Sequence, residues 1–170
     1  ISQIQLIDLQ KRFIVGLEKP KREVKKSEII ELMNNPLVRR QMPLFTSDFN
    51  ESVCNEFIAA KEKLWNEHGY GPWAFIIDEQ FAGWGGLQPE NGEADLALVL
   101  NPNYWGIGKV LYKEIISKAF NEMRLESVTV LVPPSRTRIK GLIRLGLKEY
   151  GELEMGNQRF IRYRIESPLK

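Results

Sequence analysis

The chain has 170 residues, 43% of them hydrophobic and 27% charged, which fits one globular domain with room for a small lobe. Lys and Arg number 24 against 22 Asp and Glu, and a net charge of +2 is too even a balance for a protein that coats nucleic acid. One cysteine, Cys54, and one histidine, His68, exclude an internal disulfide, a cysteine-based zinc site and a His-rich metal centre. No apolar run approaches the ~20 residues needed to span a bilayer. Asp8 interrupts the alternation of Ile4 and Leu6 before it reads as a secretory signal. The expected setting is soluble, reducing and cytoplasmic, with no membrane and no nucleic acid as partner.

Residues 3–9 alternate and predict a strand, and Phe13 to Leu17 a second short strand or helical turn. The basic, Pro-broken segment 19–26 reads as a solvated loop. Ser27 is the expected N-cap of a short helix through Leu32 and Met33, stopped at Asn34, Asn35 and Pro36; Leu37 to Gln41 allow one more turn. The clearest long helix is 47–67. Asp48 with Glu51 gives it a capping-box start, and Val53, Phe57, Ala60 and Leu64 form its expected core stripe. Cys54 reads as a packed small hydrophobe, because no base is spaced beside it, and His68 as a helix-end residue near Gly69.

Strands are predicted at 72–78 and 80–88, joined at Asp78–Glu79. Glycines at 83, 85 and 86 inside the second imply a bulge or another backbone passing close. A turn at PENGE leads to a nearly all-apolar, hence central, strand at 94–100. A loop at 101–105 precedes a helix from Gly106 to about Met123, with Leu111, Ile115 and Ala119 on one stripe and Tyr112, Ile116 and Phe120 beside it. A strand at 127–132 follows, then a basic helix at 136–145 with Ile139, Leu142 and Ile143 inward and Gly146 as its end. Strands at 147–153 and 158–166 close the chain. The order is that of a mixed sheet with helices on its faces, in the α/β to α+β range. Of Phe45, Trp73, Trp84 and Trp105, at least two are expected in the core, and the others could shape an acceptor pocket.

The stretch that carries chemistry is 94–113: apolar strand, loop, Gly106-Ile107-Gly108-Lys109, amphipathic helix. The first turn of a helix has backbone N–H groups without intrahelical partners, and the helix dipole places about half a positive charge there. Glycines let a ligand reach that backbone, and Lys109 adds a formal charge. Packing of strand on helix explains the glycines equally well. The Walker pattern is absent, and a dinucleotide G-x-G-x-x-G fails at Leu111.

The sequence A-D-L-A-L-V-L-N-P-N-Y-W-G-I-G-K resembles the fourth strand and acyl-CoA pyrophosphate loop of the GNAT N-acyltransferase superfamily, in the form found in the branch with bacterial ribosomal-protein N-acetyltransferases. F-A-G-W-G-G-L-Q is similar to that branch's third strand, and L-I-R-L-G-L to the family's closing helix. The resemblance covers residues 72–166. It implies one GNAT-like domain over 1–170, with 1–71 carrying substrate-side helices and 72–166 the acyl-CoA-binding core. The implied fold is a mixed, mostly antiparallel sheet flanked by helices, with a splayed cleft between central strands.

By that resemblance the co-substrate is acetyl-CoA, with no metal, and the second substrate is a primary amine attacked directly in a ternary complex. Backbone groups of Leu98, Val99 and Leu100 would meet the pantetheine arm. Trp105, Gly106, Ile107, Gly108, Lys109 and Val110 would receive the pyrophosphate. Ser135 and Arg138 would lie near the rest of CoA, with Arg136 and Lys140 as further phosphate attractors or simply a solvated helix face. Asp95 aligns with a strand glutamate of the branch and is the expected base; Glu93 shares its strand face and is the second candidate. Asn103, Ser135, Arg138 and Leu142 depart from the family pattern; Leu142 stands where many members have a Tyr general acid, leaving Tyr112 or Tyr150 as candidates. A homodimer is compatible with such a fold. The competing readings are a non-catalytic acyl-CoA sensor on the same fold and a nucleotide-binding protein.

Overall fold

The computed structural model describes residues 4–8, 24–42, 45, 47–134, 136 and 139–169. The expected element at Phe13–Leu17, most of the basic segment 19–26, Ser135 and Arg138 lie outside the described residues. Seven strands, β1 (Ile4–Asp8), β2 (Pro72–Ile77), β3 (Gln80–Glu90), β4 (Glu93–Leu100), β5 (Ser127–Val132), β6 (Lys148–Met155) and β7 (Gln158–Glu166), form one sheet in the order β1-β2-β3-β4-β5-β7-β6. The helices are α1 (Lys26–Asn34), α2 (Pro36–Arg40), α3 (Glu51–His68), α4 (Gly108–Asn121) and α5 (Lys140–Arg144). The ladders β1–β2, β2–β3, β5–β7 and β6–β7 are antiparallel, and β4–β5 is parallel. This is the expected mixed, mostly antiparallel sheet. Three two-residue turns, Asp78–Glu79, Asn91–Gly92 and Gly156–Asn157, have positive φ at both positions, the twist that tight hairpins require.

The chain divides into two compact units, one of 1–86 with 98–105 and one of 87–97 with 106–170. In the first, Val24, Ile29, Leu32, Met33, Val38 and Phe49 pack with Cys54 and Ile58 of α3, Ala74 and Ile76 of β2, Trp84 of β3 and Val99 of β4. Trp73 and Trp84 are buried, as expected of two of the aromatics, and the Trp84 indole N–H points at Met33 Sδ, 3.3 Å away.

Several sequence expectations shift here. The N-cap of α3 is Asn50, whose side chain accepts from Val53 N at 2.9 Å, and not Asp48. Its buried row is Cys54 and Ile58, while Ala60 is exposed. Two adjacent i, i+4 rows were available, and the facing strands select the one with the fully buried thiol. Helix α1 starts one residue before Ser27; its entry is held by Lys25 N donating to Glu28 at 3.0 Å. Gly83, at φ +150°, is where two backbones meet: a Cβ there would overlap Val99 O.

In the second unit, Val128, Val130 and Val132 of β5 are fully buried, and α4 lies against that strand with Leu111, Ile115 and Ala119 fully buried. The predicted stripes of α4 are therefore correct, but its start is not. Residues Pro102–Ile107 form a 3-10 turn and α4 begins at Gly108, two residues later than expected. Helix α5 is five residues long where 136–145 was expected, and Ile143 is 54% exposed. Gly146, at φ +101°, ends it: Gly146 N donates to Ile143 O and Leu147 N to Leu142 O, a Schellman closure that buries Leu142 and Leu147 and turns Ile143 outward.

Candidate active site

The opposite face of β5 carries Ser127, Thr129 and Leu131. Register places Asp95 of β4 opposite Thr129 of β5, and Thr129 opposite Arg164 of β7. Residues directly opposite in a sheet share a face, so these three form one row. Glu93, two residues before Asp95, and Arg162, two before Arg164, lie on the same side.

Asp95 is 2% exposed. Burial pushes its carboxyl up to about 7, against a hydrogen bond from Thr129. Glu90 raises it further, while the Gln88 side chain and the Arg162 guanidinium favour the charged form. Thr129 Oγ1 is 3.0 Å from Asp95 Oδ1. Glu93 is engaged differently, holding Arg162 Nη2 at 2.8 Å and Arg164 Nε at 3.3 Å. The two guanidiniums flank the exposed ring of Tyr150 at 4.8 and 5.0 Å from its centroid. The unit thus contains one buried carboxyl able to exchange a proton near neutrality and one carboxylate tied to two cations.

The start of α4 has no side-chain cap, and the 3-10 turn Pro102–Ile107 runs directly into it. A Cβ at Gly106 would meet nothing within 4 Å, and Lys109 and Val110 are exposed. A Cβ at Gly141 would stand 4.0 Å from Lys109 Cδ, so α5 begins beside this turn. Arg136 Nη1 donates to Tyr112 OH at 3.4 Å, which engages one of the expected phosphate-attracting residues and one of the two candidate acids. Lys140 is exposed.

The C-terminal end of β4 belongs to the first unit. Val99 and Leu100 are buried there and Leu98 is half-buried. Trp105 is 45% exposed, yet its indole Nε1 donates to Leu100 O at 3.0 Å and ties the loop back to the strand. Asn101 N donates to Ala82 O at 2.8 Å, so the exit of β4 is anchored on β3. One of the backbone groups expected to face a ligand, Leu100 O, is therefore already paired to Trp105.

Residues 15–144 match the family model described as an acetyltransferase (GNAT) domain. The chain belongs to the GNAT acetyltransferase family. Solved GNAT structures share its fold at low sequence identity. An acetyltransferase from Agrobacterium tumefaciens superposes with a TM-score of 0.72 at 13% identity, covering 96% of this chain and 91% of that one. A GNAT-family acetyltransferase from Bacillus anthracis gives 0.66 at 17% identity, covering 83% and 88%. The dodecameric spermidine N-acetyltransferase from Vibrio cholerae gives 0.66 at 13%, covering 97% and 93%. No curated protein matches the chain significantly.

Leu142, where the resemblance implied a Tyr in many members of the family, is 2% exposed. Thr129, Arg162 and Arg164 were not singled out in the sequence. The one polar residue in S-V-T-V-L-V and the i, i+2 arginines of R-Y-R were visible, but their register against Asp95 was not. Among the described residues no group of His, Cys, Asp and Glu is arranged to hold a metal, and no helix is long and apolar enough to cross a membrane.

Proposed function

We propose that this GNAT acetyltransferase transfers an acetyl group from acetyl-CoA to a primary amine, with Asp95 as the base. The buried carboxyl of Asp95, raised to about 7, carries the reading. A base must hold the amine's proton and then lose it near the working pH, which an ordinary carboxylate does poorly. An α-amino group ionises near 7.7–8.0 and lysine near 10.4. A group titrating near 7 suits an α-amine, such as a protein N-terminus, or a small amine of similar basicity. The resemblance to ribosomal-protein N-acetyltransferases favours the first.

The bound thioester supplies an activated acyl group and a thiolate leaving group. This chain's own residues do the rest. The uncapped N-terminus of α4, with the open side of Gly106, the backbone of Ile107, Gly108 and Val110 and the charge of Lys109, suits the pyrophosphate. Trp105 holds the end of the loop to β4 through Leu100 O. Leu98 and Val99 offer backbone groups to the pantetheine arm, and Ser135 and Arg138 keep their proposed place near CoA. Asp95 takes the proton of the attacking amine, directly or through one water. Glu93, the second candidate, already neutralises Arg162 and Arg164, so its part is to hold them. The whole of 1–170 acts as one acyltransferase domain, with 1–71 on the acceptor side, in the cytoplasm, and a homodimer remains compatible with it.

Unfolding midpoints with acetyl-CoA, CoA and NAD test the first half of this reading. At 100 times its Kd a ligand stabilises by about 2.7 kcal/mol, several degrees for a domain of this size. Acetyl-CoA and CoA should both raise the midpoint and NAD should not. Release of free thiol with an N-terminal peptide, lost in Asp95→Asn, tests the second half. The non-catalytic reading draws on the missing acid at Leu142; acetyl-CoA binding without thiol release, whichever amine is offered, would favour it.

A further inference from the structure

Thr129 Oγ1 has two acceptors in reach, Asp95 Oδ1 at 3.0 Å and Ala94 O at 3.4 Å. Thr129 and Asp95 are each 2% exposed, so bulk water does not readily substitute for either contact. A threonine hydroxyl has one proton to donate and lone pairs with which to accept. When Asp95 is ionised it can only accept, and the Thr129 proton points to Oδ1. When Asp95 is protonated it has an O–H of its own to donate. Thr129 can then accept that proton and turn its own toward Ala94 O. Both protonation states are hydrogen-bonded with the same heavy-atom positions.

Resting on the reading of Asp95 as the base, we infer that Thr129 is a positioning residue whose hydroxyl swings between Ala94 O and Asp95, so that the buried carboxyl gains and loses the amine's proton without rearranging its surroundings. No covalent bond of Thr129 changes. The proton leaves the amine nitrogen, resides on an Asp95 oxygen and passes from there to water or to the departing CoA thiolate. The other groups acting on Asp95 are Glu90 and Gln88 of β3 and Arg162 of β7, with Glu93 on β4 shared between Arg162 and Arg164. Each of these acts in one sense, toward or away from the charged form. The hydroxyl serves both forms, because its proton can turn.

The test is titration of the Asp95 carboxyl by 13C NMR in the whole chain without substrate, for wild type, Thr129→Val and Thr129→Ser, with Asp95→Asn to assign the signal. Valine keeps the shape and removes the hydroxyl; serine restores it. The bond donated to the charged carboxylate is charge-assisted and stronger than the one accepted from the neutral acid, so losing both raises the midpoint, by about one pH unit. Thr129→Val should move the midpoint upward by that amount and Thr129→Ser should stay near wild type. The rising limb of the pH–rate profile should follow, so that Thr129→Val loses up to about tenfold at pH 7 and recovers at higher pH. An unchanged midpoint in Thr129→Val, an equal shift in Thr129→Ser, or activity lost uniformly at all pH would each overturn the role. If Asp95→Asn keeps full turnover, the base assignment fails by itself, and the substrate-free titration shows separately whether the hydroxyl governs the carboxyl.

Discussion

Glu93 Oε2 lies 2.8 Å from Arg162 Nη2, and through its other oxygen the same carboxylate reaches Arg164 Nε at 3.3 Å. The second contact is an ion pair without hydrogen-bond alignment, since Arg164 Nε is buried and has no hydrogen-bond partner. One acid on β4 therefore restrains two cations of β7, and Arg162 in turn favours the charged form of Asp95. Glu93→Gln leaves two largely buried guanidiniums with reduced compensation, at a cost of about 2 kcal/mol, below the range for fully buried pairs because these side chains keep some solvent. Urea denaturation at pH 7 should show that loss. The freed Arg162 should also draw the Asp95 limb of the pH–rate profile to lower pH, whereas a catalytic Glu93 would give a collapse of turnover at every pH.

Asp95→Asn should lower kcat by about 10²- to 10⁴-fold, the usual contribution of a general base. Its stability should behave in the opposite way. Asp95 is raised from 3.8 to about 7 on folding, so the folded state binds the extra proton. The stabilisation is complete below the unfolded value, is lost as pH rises through the folded one, and amounts to no more than about 4 kcal/mol. Wild type minus Asp95→Asn, followed by denaturation from pH 4 to 8, should fall across that window and level off above it. A flat difference would show that the carboxyl is not perturbed.

Gly106→Ala separates ligand binding from folding. The added methyl meets nothing within 4 Å, so stability should stay within about 0.5 kcal/mol of wild type. If the pyrophosphate approaches this backbone, affinity for CoA should drop by about tenfold. Calorimetric titration with CoA reads the second effect. Unchanged affinity would return the glycine to a packing role.

Gly83→Ala should do the reverse. Its φ of +150° disfavours any L side chain, and the methyl would overlap Val99 O. The expected loss is about 3 kcal/mol or more, seen in thermal unfolding without ligand.

Periodicity was enough to read most of the elements. The stripes Leu111–Ile115–Ala119 and Tyr112–Ile116–Phe120 were legible because a helix against a sheet must present one continuous apolar face. The hairpins were legible from their turn residues, and the close backbone approach on β3 from its glycines, of which Gly83 proved to touch Val99. Boundaries were less so. Asp48 and Asn50 both suit an N-cap, and packing of Cys54 and Ile58 chose Asn50. Ile143 fits a helical stripe, but α5 starts only at Lys140 and closes at Gly146 as expected, too short for that stripe to be used.

By itself the sequence determined the mixed sheet and the glycine turn before α4, because these rest on local rules: alternation, helical spacing and backbone freedom over a few residues; the family came through resemblance, and the match over residues 15–144 shows it. Only the tertiary structure decided what Asp95 and Glu93 are. They are two residues apart and chemically alike, and in the sequence both read as candidate bases. Their difference comes from Thr129, 34 positions from Asp95, and Arg162, 69 positions from Glu93. Strand register brings one carboxyl under a hydroxyl in a buried place and the other against two guanidiniums. Desolvation and charge pairing act through space, so no reading of neighbours along the chain could have assigned them.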